Sequence, residues 1–321
     1  MRRGGSIAVV PELPDIALYL SALEPRTLGR PLVAIRVRGP AWLRTAEPPR
    51  EAFAGRRVVA LRRLGKRIVL GFEDELFAVL HLMIAGRLQW RDRPTQPRPG
   101  ARTKQLGSLD FDRGSLVVTE AGTRKRASLH LLRGEAALAA LDPGGLEPLQ
   151  ASFEAFDARV RMRNHTVKRA LTDPQVLSGI GNAYSDEILH AARMSPFKQT
   201  QKLTPAEMQR LYAATRDTLQ LWTDRLRTQI GDAWPDEVTA FRSEMAVHGR
   251  YREPCPVCGA PVQRIAHANN EANYCARCQT DGKLLADRAL SRLLHDDWPD
   301  TLEELEELRV SRVNPGRSSA R

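Results

Sequence analysis

Apolar positions change period twice along the chain. Ile16, Tyr19, Leu20 and Leu23 recur at intervals of three and four, which predicts an amphipathic helix that begins at or just after Pro14 and is ended by Pro25 and the Gly29 turn. From Leu32 to about Leu132 the period shortens to runs rich in Val, Ile, Leu and Phe, at residues 33–37, 58–61, 67–72, 76–80, 109–111, 116–119 and 127–131. Short strands divided by Gly, Pro, Asp and Arg turns predict an antiparallel sandwich or barrel.

After Gly144 the alternation stops and Leu-rich helical text begins, which puts a domain boundary near residues 142–152. Residues 166–171 and 185–192 read as helices on either side of DPQVLSGIGNAY. Thr204-Pro205-Ala206-Glu207 is a capping box with proline at the first helical position, opening a long helix that carries Met208, Leu211 and Leu219. Residues 91–103, with three prolines and no apolar period, read as an exposed loop whose arginines form a solvated face rather than a sequence reader. The last thirty or so residues read as a charged helical tail with a frayed end.

Composition narrows the class of partner. In 321 residues, 49 Lys and Arg oppose 38 Asp and Glu, and the net +11 favours a polyanion or an anionic surface without choosing among DNA, RNA and lipid. A hydrophobic content of 42% is enough for more than one core. No window approaches the roughly 18 apolar residues of a membrane span, and the start lacks a signal-peptide core. The expectation is a soluble cytoplasmic protein with no membrane contact.

All four cysteines fall in Cys255-x2-Cys258 and Cys275-x2-Cys278. Two such thiolate pairs are the donor set of one structural, tetrahedral zinc ion, and Gly259 permits the tight turn of a knuckle. Metal-free reduced cysteines and a redox pair are the other readings, although a redox centre needs only one pair. Between the pairs, residues 262–266 and 271–274 predict a hairpin with His267 to Asn270 at its tip; with four thiolates present, His267 is not needed as a ligand.

Four segments, in order, resemble the formamidopyrimidine-DNA glycosylase and endonuclease VIII family of base-excision enzymes. They are Pro11-Glu12-Leu13-Pro14-Asp15-Ile16; Gly65-Lys66-Arg67 with His81-Leu82-Met83-Ile84-Ala85-Gly86; residues 173–196, DPQVLSGIGNAYSDEILHAARMSP; and the cysteine finger, introduced by Val247-His248-Gly249-Arg250. The resemblance spans residues 11–279. It implies an α+β multidomain fold: an N-terminal helix with an antiparallel β-sandwich, a helix-two-turns-helix domain and a zinc-finger hairpin. The corresponding division is 11–145, 146–246, 247–281 and a tail at 282–321. It also implies a monomeric, nucleoid-associated bacterial enzyme acting on damaged double-stranded DNA.

The resemblance makes Pro11 the nucleophile. A secondary amine attacking the sugar C1′ carbon gives an iminium ion, which acidifies the C2′ proton and allows the 3′ phosphate to leave. Glu12 would move protons at the sugar ring oxygen or the amine. On residue type alone, Pro11 and Glu12 also suit a plain helix start. Within a longer chain the Pro11 nitrogen is a tertiary amide and inert, so residues 1–10 are expected to be an extension or a processed leader. Lys66 would reach a phosphate beside the lesion, or be an ordinary surface lysine. Gly181 and Asn182 would receive a phosphate at a helix start, or Asn182 would merely cap it.

Two departures from the family pattern bear on the lesion. Ile84 stands where purine-preferring relatives carry a wedging methionine and can still wedge, since only apolar volume is required, whereas residues 120–127, with Arg124 and Arg126, lack the later Arg-x-Phe pair, which speaks against a standard oxidised-guanine reader. Asn270 stands where the family places a phosphate-gripping finger arginine, and a neutral amide supplies no cationic fork. Arg264, Arg277 or the Arg124-Lys125-Arg126 cluster are the candidates to compensate. The sequence therefore favours a DNA glycosylase with abasic-site lyase activity, acting on oxidised bases, and leaves open a weak or silent relative that binds distorted or cross-linked DNA.

Overall fold

A reciprocal cap starts the first helix, α1 (Leu13–Thr27), in a computed structural model that describes residues 10–92, 104–121, 124–236, 238, 242–267, 270–285, 299 and 301–304. The Glu12 carboxylate accepts from the Asp15 backbone N–H, and the Asp15 carboxylate accepts from the Glu12 N–H at 3.0 Å. This satisfies two of the donors that a helix start leaves unpaired. The helix begins one residue before the expected Pro14 and runs through Pro25 to Thr27. Proline in the last turn removes only one backbone donor. Burial continues past it: Thr27 is fully buried, and its hydroxyl donates to the Leu23 carbonyl at 2.9 Å.

The described residues form two compact units. The first takes residues up to Ser152 together with 173–181 and 219–240. Its strands are β1 (Leu32–Val37), β2 (Val58–Leu64), β3 (Arg67–Phe72), β4 (Leu76–His81), β5 (Gly86–Arg91), β6 (Gln105–Phe111), β7 (Gly114–Glu120) and β8 (Ser128–Arg133). They make two four-stranded antiparallel sheets, ordered β2-β3-β4-β8 and β1-β6-β7-β5. The seven expected strands are all present. β5 was not foreseen, because GRLQWR buries only Gly86 and Leu88 fully and so shows little apolar signal.

β3 and β4 are buried on both faces. The short helix α2 (Glu135–Ala139) explains this, because Leu138 packs with Val69, Phe77 and Val79 on the side of the sheet that would otherwise face water. Each such side chain contributes about 1.5–3 kcal/mol by leaving water. The strand ends, and the turns that join them, are thereby held on a rigid support.

The second unit takes residues 153–172, 182–218 and those from 241 onward. It holds α3 (Phe153–Arg161), α4 (Val167–Thr172), α5 (Asn182–Ala191), the first half of α6 (Pro205–Ile230), the hairpin β9 (Gln263–His267) and β10 (Asn270–Tyr274), and α7 (Ala276–Thr280). The Thr204 box opens α6 as expected: Thr204 N–H donates to Glu207 at 2.8 Å, and Glu207 N–H donates to the Thr204 hydroxyl at 3.2 Å. α5 runs through the centre of this unit. Its Asp186 accepts from Lys168 Nζ at 2.5 Å and the Asn273 backbone N–H at 3.1 Å, and lies 2.8 Å from His248 Nδ1. Burial pushes the Asp186 carboxyl up, but Lys168 and His248 outweigh it and hold the group below the ordinary range. Glu187 accepts the backbone N–H groups of Ala246, Val247 and His248.

The finger has its own small core of Val247, Val262, Ile265, Ala272 and Tyr274, joined by Leu284 and Leu302. Most of the expected charged tail, and most of the 91–103 loop, lie outside the described residues. Among the described residues no helix is long and apolar enough to cross a membrane.

Candidate active site and metal centre

The first unit brings two of the expected residues, Glu12 and Lys66, together at one glycine. Glu12 is 1% exposed, and its Oε2 accepts the Gly181 backbone N–H at 2.6 Å. Next to it, the Leu13 N–H donates to the Gly179 carbonyl at 2.9 Å. A Cβ at Gly181 would lie 2.5 Å from the Glu12 carboxyl carbon and 2.6 Å from Lys66 Nζ. The carboxylate and the ammonium therefore converge where only glycine leaves room. Pro11, buried and joined to Val10 through its nitrogen, directly precedes Glu12.

Lys66 is presented by the turn between β2 and β3, where Gly65 takes a left-handed φ of +61°. Burial lowers the Lys66 ammonium below the ordinary lysine range, and the neighbouring Glu12 charge works against that shift. A lysine so placed is a desolvated cation beside a carboxylate, suited to binding an anion or exchanging a proton.

Arg63 braces this arrangement. Its Nη1 donates to the Gly65 carbonyl at 2.7 Å and to the Ser178 hydroxyl at 3.2 Å, and its Nη2 pairs with Glu147. Ser178 donates to the other Glu147 oxygen at 2.5 Å. One guanidinium thus ties the turn bearing Lys66 to the loop bearing Gly179 and Gly181. Neither Arg63 nor Glu147 stood out in the sequence, since the contact joins residues more than eighty positions apart.

His81 is a third residue whose place in the site the sequence motif alone does not reveal. It ends β4 opposite Arg67 in the antiparallel register, which brings it near Lys66. Burial, followed by Arg67, Lys66 and His130, lowers it to about 4, so the ring is neutral near pH 7. Pairing the two strands residue by residue would have found it.

Ile84 caps the turn between β4 and β5 and is 41% exposed. Arg124 and Arg126 are exposed on the loop between β7 and β8. That loop is held by buried Glu120, whose carboxylate accepts the backbone N–H groups of Arg126 and Ala127. Asn182 is the first residue of α5 in the second unit, at the positive end of the helix dipole. Asn270 opens β10; its side chain lies outside the described residues.

The cysteines do come together. The four sulfurs of Cys255, Cys258, Cys275 and Cys278 lie within 4.8 Å of one another, with Cys258 to Cys275 at 3.4 Å and Cys255 to Cys278 at 3.9 Å. Burial pushes the Cys278 thiol up to about 11 and Cys275 higher still, so a divalent cation is what would let all four ionise together. The cluster fits one structural zinc ion.

Three family profiles match in chain order: the formamidopyrimidine-DNA glycosylase N-terminal domain over residues 10–128, the formamidopyrimidine-DNA glycosylase H2TH domain over 145–229, and the zinc finger found in FPG and IleRS over 252–280. A formamidopyrimidine-DNA glycosylase of Symbiobacterium thermophilum is 32% identical over 279 residues, covering 84% of this chain and 89% of its own. An uncharacterized formamidopyrimidine-DNA glycosylase-like protein of Mycobacterium tuberculosis is 44% identical over 150 residues, 47% of this chain and 93% of its own. The crystal structure of the MutM (Fpg) protein from Thermus thermophilus superposes with a TM-score of 0.69 at 29% identity, covering 84% of this chain and 98% of that one. With this fold, this order of domains and this level of identity over most of its length, the chain belongs to the formamidopyrimidine-DNA glycosylase family.

Proposed function

We propose that Pro11, Glu12 and Lys66 carry the chemistry of this DNA glycosylase and abasic-site lyase, whose substrate is damaged DNA. The observation that carries the assignment is the joint approach of the Glu12 carboxylate and Lys66 ammonium to Gly181, beside Pro11.

With Pro11 as the first residue, its secondary amine attacks the sugar C1′ carbon as the glycosidic bond breaks, and the base leaves with the bonding electron pair and takes a proton from water. The Glu12 carboxylate takes the proton from the substituted amine and passes it to the sugar ring oxygen as the ring opens to the iminium ion. The freed Glu12 carboxylate then takes the C2′ proton, the C2′–H bonding pair forms the C2′=C3′ double bond, and the C3′–O bond breaks with the 3′ phosphate leaving as the anion. Glu12 is suited to the transfer because its other contacts, the Asp15 and Gly181 amides, fix its position. Lys66 binds a phosphate flanking the lesion and offsets the charge of Glu12. An amide at Pro11 has no free lone pair, so this route requires that no residue precede it.

Gly181 and Asn182 supply backbone contacts at the start of α5, Ile84 fills the gap left by the extruded nucleotide, and Arg124, Arg126 and Asn270 contact the duplex. Cys255, Cys258, Cys275 and Cys278 would hold one zinc ion that shapes the finger and takes no part in bond breaking. The protein acts as a monomer on double-stranded DNA.

Borohydride trapping on an abasic duplex tests the assignment. Protein beginning at Pro11 is expected to form a covalent adduct, and protein retaining Val10 is expected to form none. Equal trapping by both would move the nucleophile elsewhere. Lys66→Ala is expected to weaken both DNA binding and turnover; native behaviour at physiological salt removes Lys66 from the site.

A further inference from the structure

We propose that His190 donates a hydrogen bond to the metal-bound sulfur of Cys255 and so sets how tightly the finger holds its zinc. The inference rests on the zinc reading above and assigns to a helix residue a role in the metal centre.

His190 Nε2 lies 3.3 Å from Cys255 Sγ, with the two residues 7% and 2% exposed. A ligating thiolate carries no proton and can only accept, so the ring nitrogen facing it is the donor. Four thiolates around one divalent cation leave a net charge of −2, and a buried site relieves that excess through N–H groups directed at sulfur. A ring N–H buried beside the sulfur and left unpaired would lose the hydrogen bond it makes in water.

His190 is placed where α5 ends against the finger. It is the penultimate residue of α5, and the chain just beyond is tied to the second knuckle through Gln279. Gln279 Nε2 donates to the Met194 carbonyl at 2.9 Å, while its Oε1 accepts the Cys275 N–H at 2.9 Å. His190 addresses the first knuckle and Gln279 the second, so both cysteine pairs are referred to the end of one helix. The metal is thereby coupled to α5, which carries the phosphate-receiving Asn182 at its other end.

The test compares full-length wild type with His190→Phe, which keeps a ring and loses the donor, and His190→Gln, which keeps an N–H. Zinc content is measured directly, and affinity by competition with a chromophoric chelator. His190→Phe is expected to bind zinc about 10- to 100-fold more weakly, with His190→Gln between it and the wild type. Native zinc affinity in His190→Phe, even with a lower melting temperature, overturns the proposal. Should His190→Phe not fold, cobalt-substituted His190→Gln is compared with wild type, where a shifted sulfur-to-metal charge-transfer band is expected and an unshifted one counts against it. Wild-type protein that holds no zinc overturns the metal reading and the inference together; zinc-replete wild type with an indifferent His190→Phe overturns the inference alone.

Discussion

The Gly181 amide donates to the Glu12 carboxylate across 169 positions of sequence, at 2.6 Å and out of contact with water. This bond fixes one oxygen of a carboxylate that also caps α1, so the group enters the site with its orientation set. Gly181→Ala is expected to be among the most damaging small changes available, because the added methyl would lie 2.5 Å from the Glu12 carboxyl carbon. Base removal under single-turnover conditions is expected to fall on the order of 10²-fold or more, as when a general acid–base group is displaced. A native rate in a folded Gly181→Ala protein would remove Glu12 and Lys66 from the chemistry.

Glu12→Gln separates the proton-transfer role from the capping role. The amide oxygen still accepts from backbone N–H groups, so the melting temperature is expected to shift little while excision drops by about 10²–10⁴-fold. Equal losses in DNA affinity and in rate point to a structural role instead.

Arg63 is expected to act through Lys66 rather than on substrate. Arg63→Met removes the donor that holds the Gly65 carbonyl and the partner of Glu147. The expected result is a fall in kcat on the order of 10- to 100-fold with a smaller change in KM, reflecting a misplaced ammonium. A change confined to KM argues that Arg63 binds DNA itself.

His81 makes stability pH-dependent in a stated direction. Burial and the nearby cations lower it to about 4 in the folded chain, whereas the unfolded chain keeps a value near 6.5. Between those values the unfolded state binds more protons, so stability is complete above about 6.5 and is lost as pH falls toward 4. His81→Gln is expected to flatten that part of the curve of melting temperature against pH; an unchanged slope assigns it to other groups.

The turn presenting Ile84 carries its own signature. Met83 holds a left-handed φ of 53°, and a Cβ at Gly86 would meet the Leu82 carbonyl oxygen at 2.2 Å. Met83→Gly is expected to raise stability by about 0.5–1 kcal/mol, and Gly86→Ala to lower it by more than that. Denaturant titration measures both, and a destabilised Met83→Gly would show that its side-chain contacts outweigh the backbone strain.

The parts of this protein that the chain announces are those coded by local spacing. A period of three to four marks α1, a Thr-x-x-Glu box marks the start of α6, and two Cys-x2-Cys pairs mark the metal centre. β5 escapes because its polar positions hide the alternation, and Pro25 misleads because the burial of Thr27 carries the helix past it. His81 is visible as text, but its meaning depends on its register against Arg67.

Residue types alone determined that a proline, a glutamate, a lysine and four cysteines were available, with a basic balance suited to a polyanion or an anionic surface. Tertiary structure decided which groups touch. Glu12 and Lys66 meet over Gly181, Arg63 clasps Glu147 and Ser178, and His190 reaches Cys255, all through contacts between distant segments. The physical reason is range: turn and helix signals act over a few residues, whereas hydrogen bonds and buried charges take their strength from whatever folding brings within about 3 Å, which no local pattern encodes.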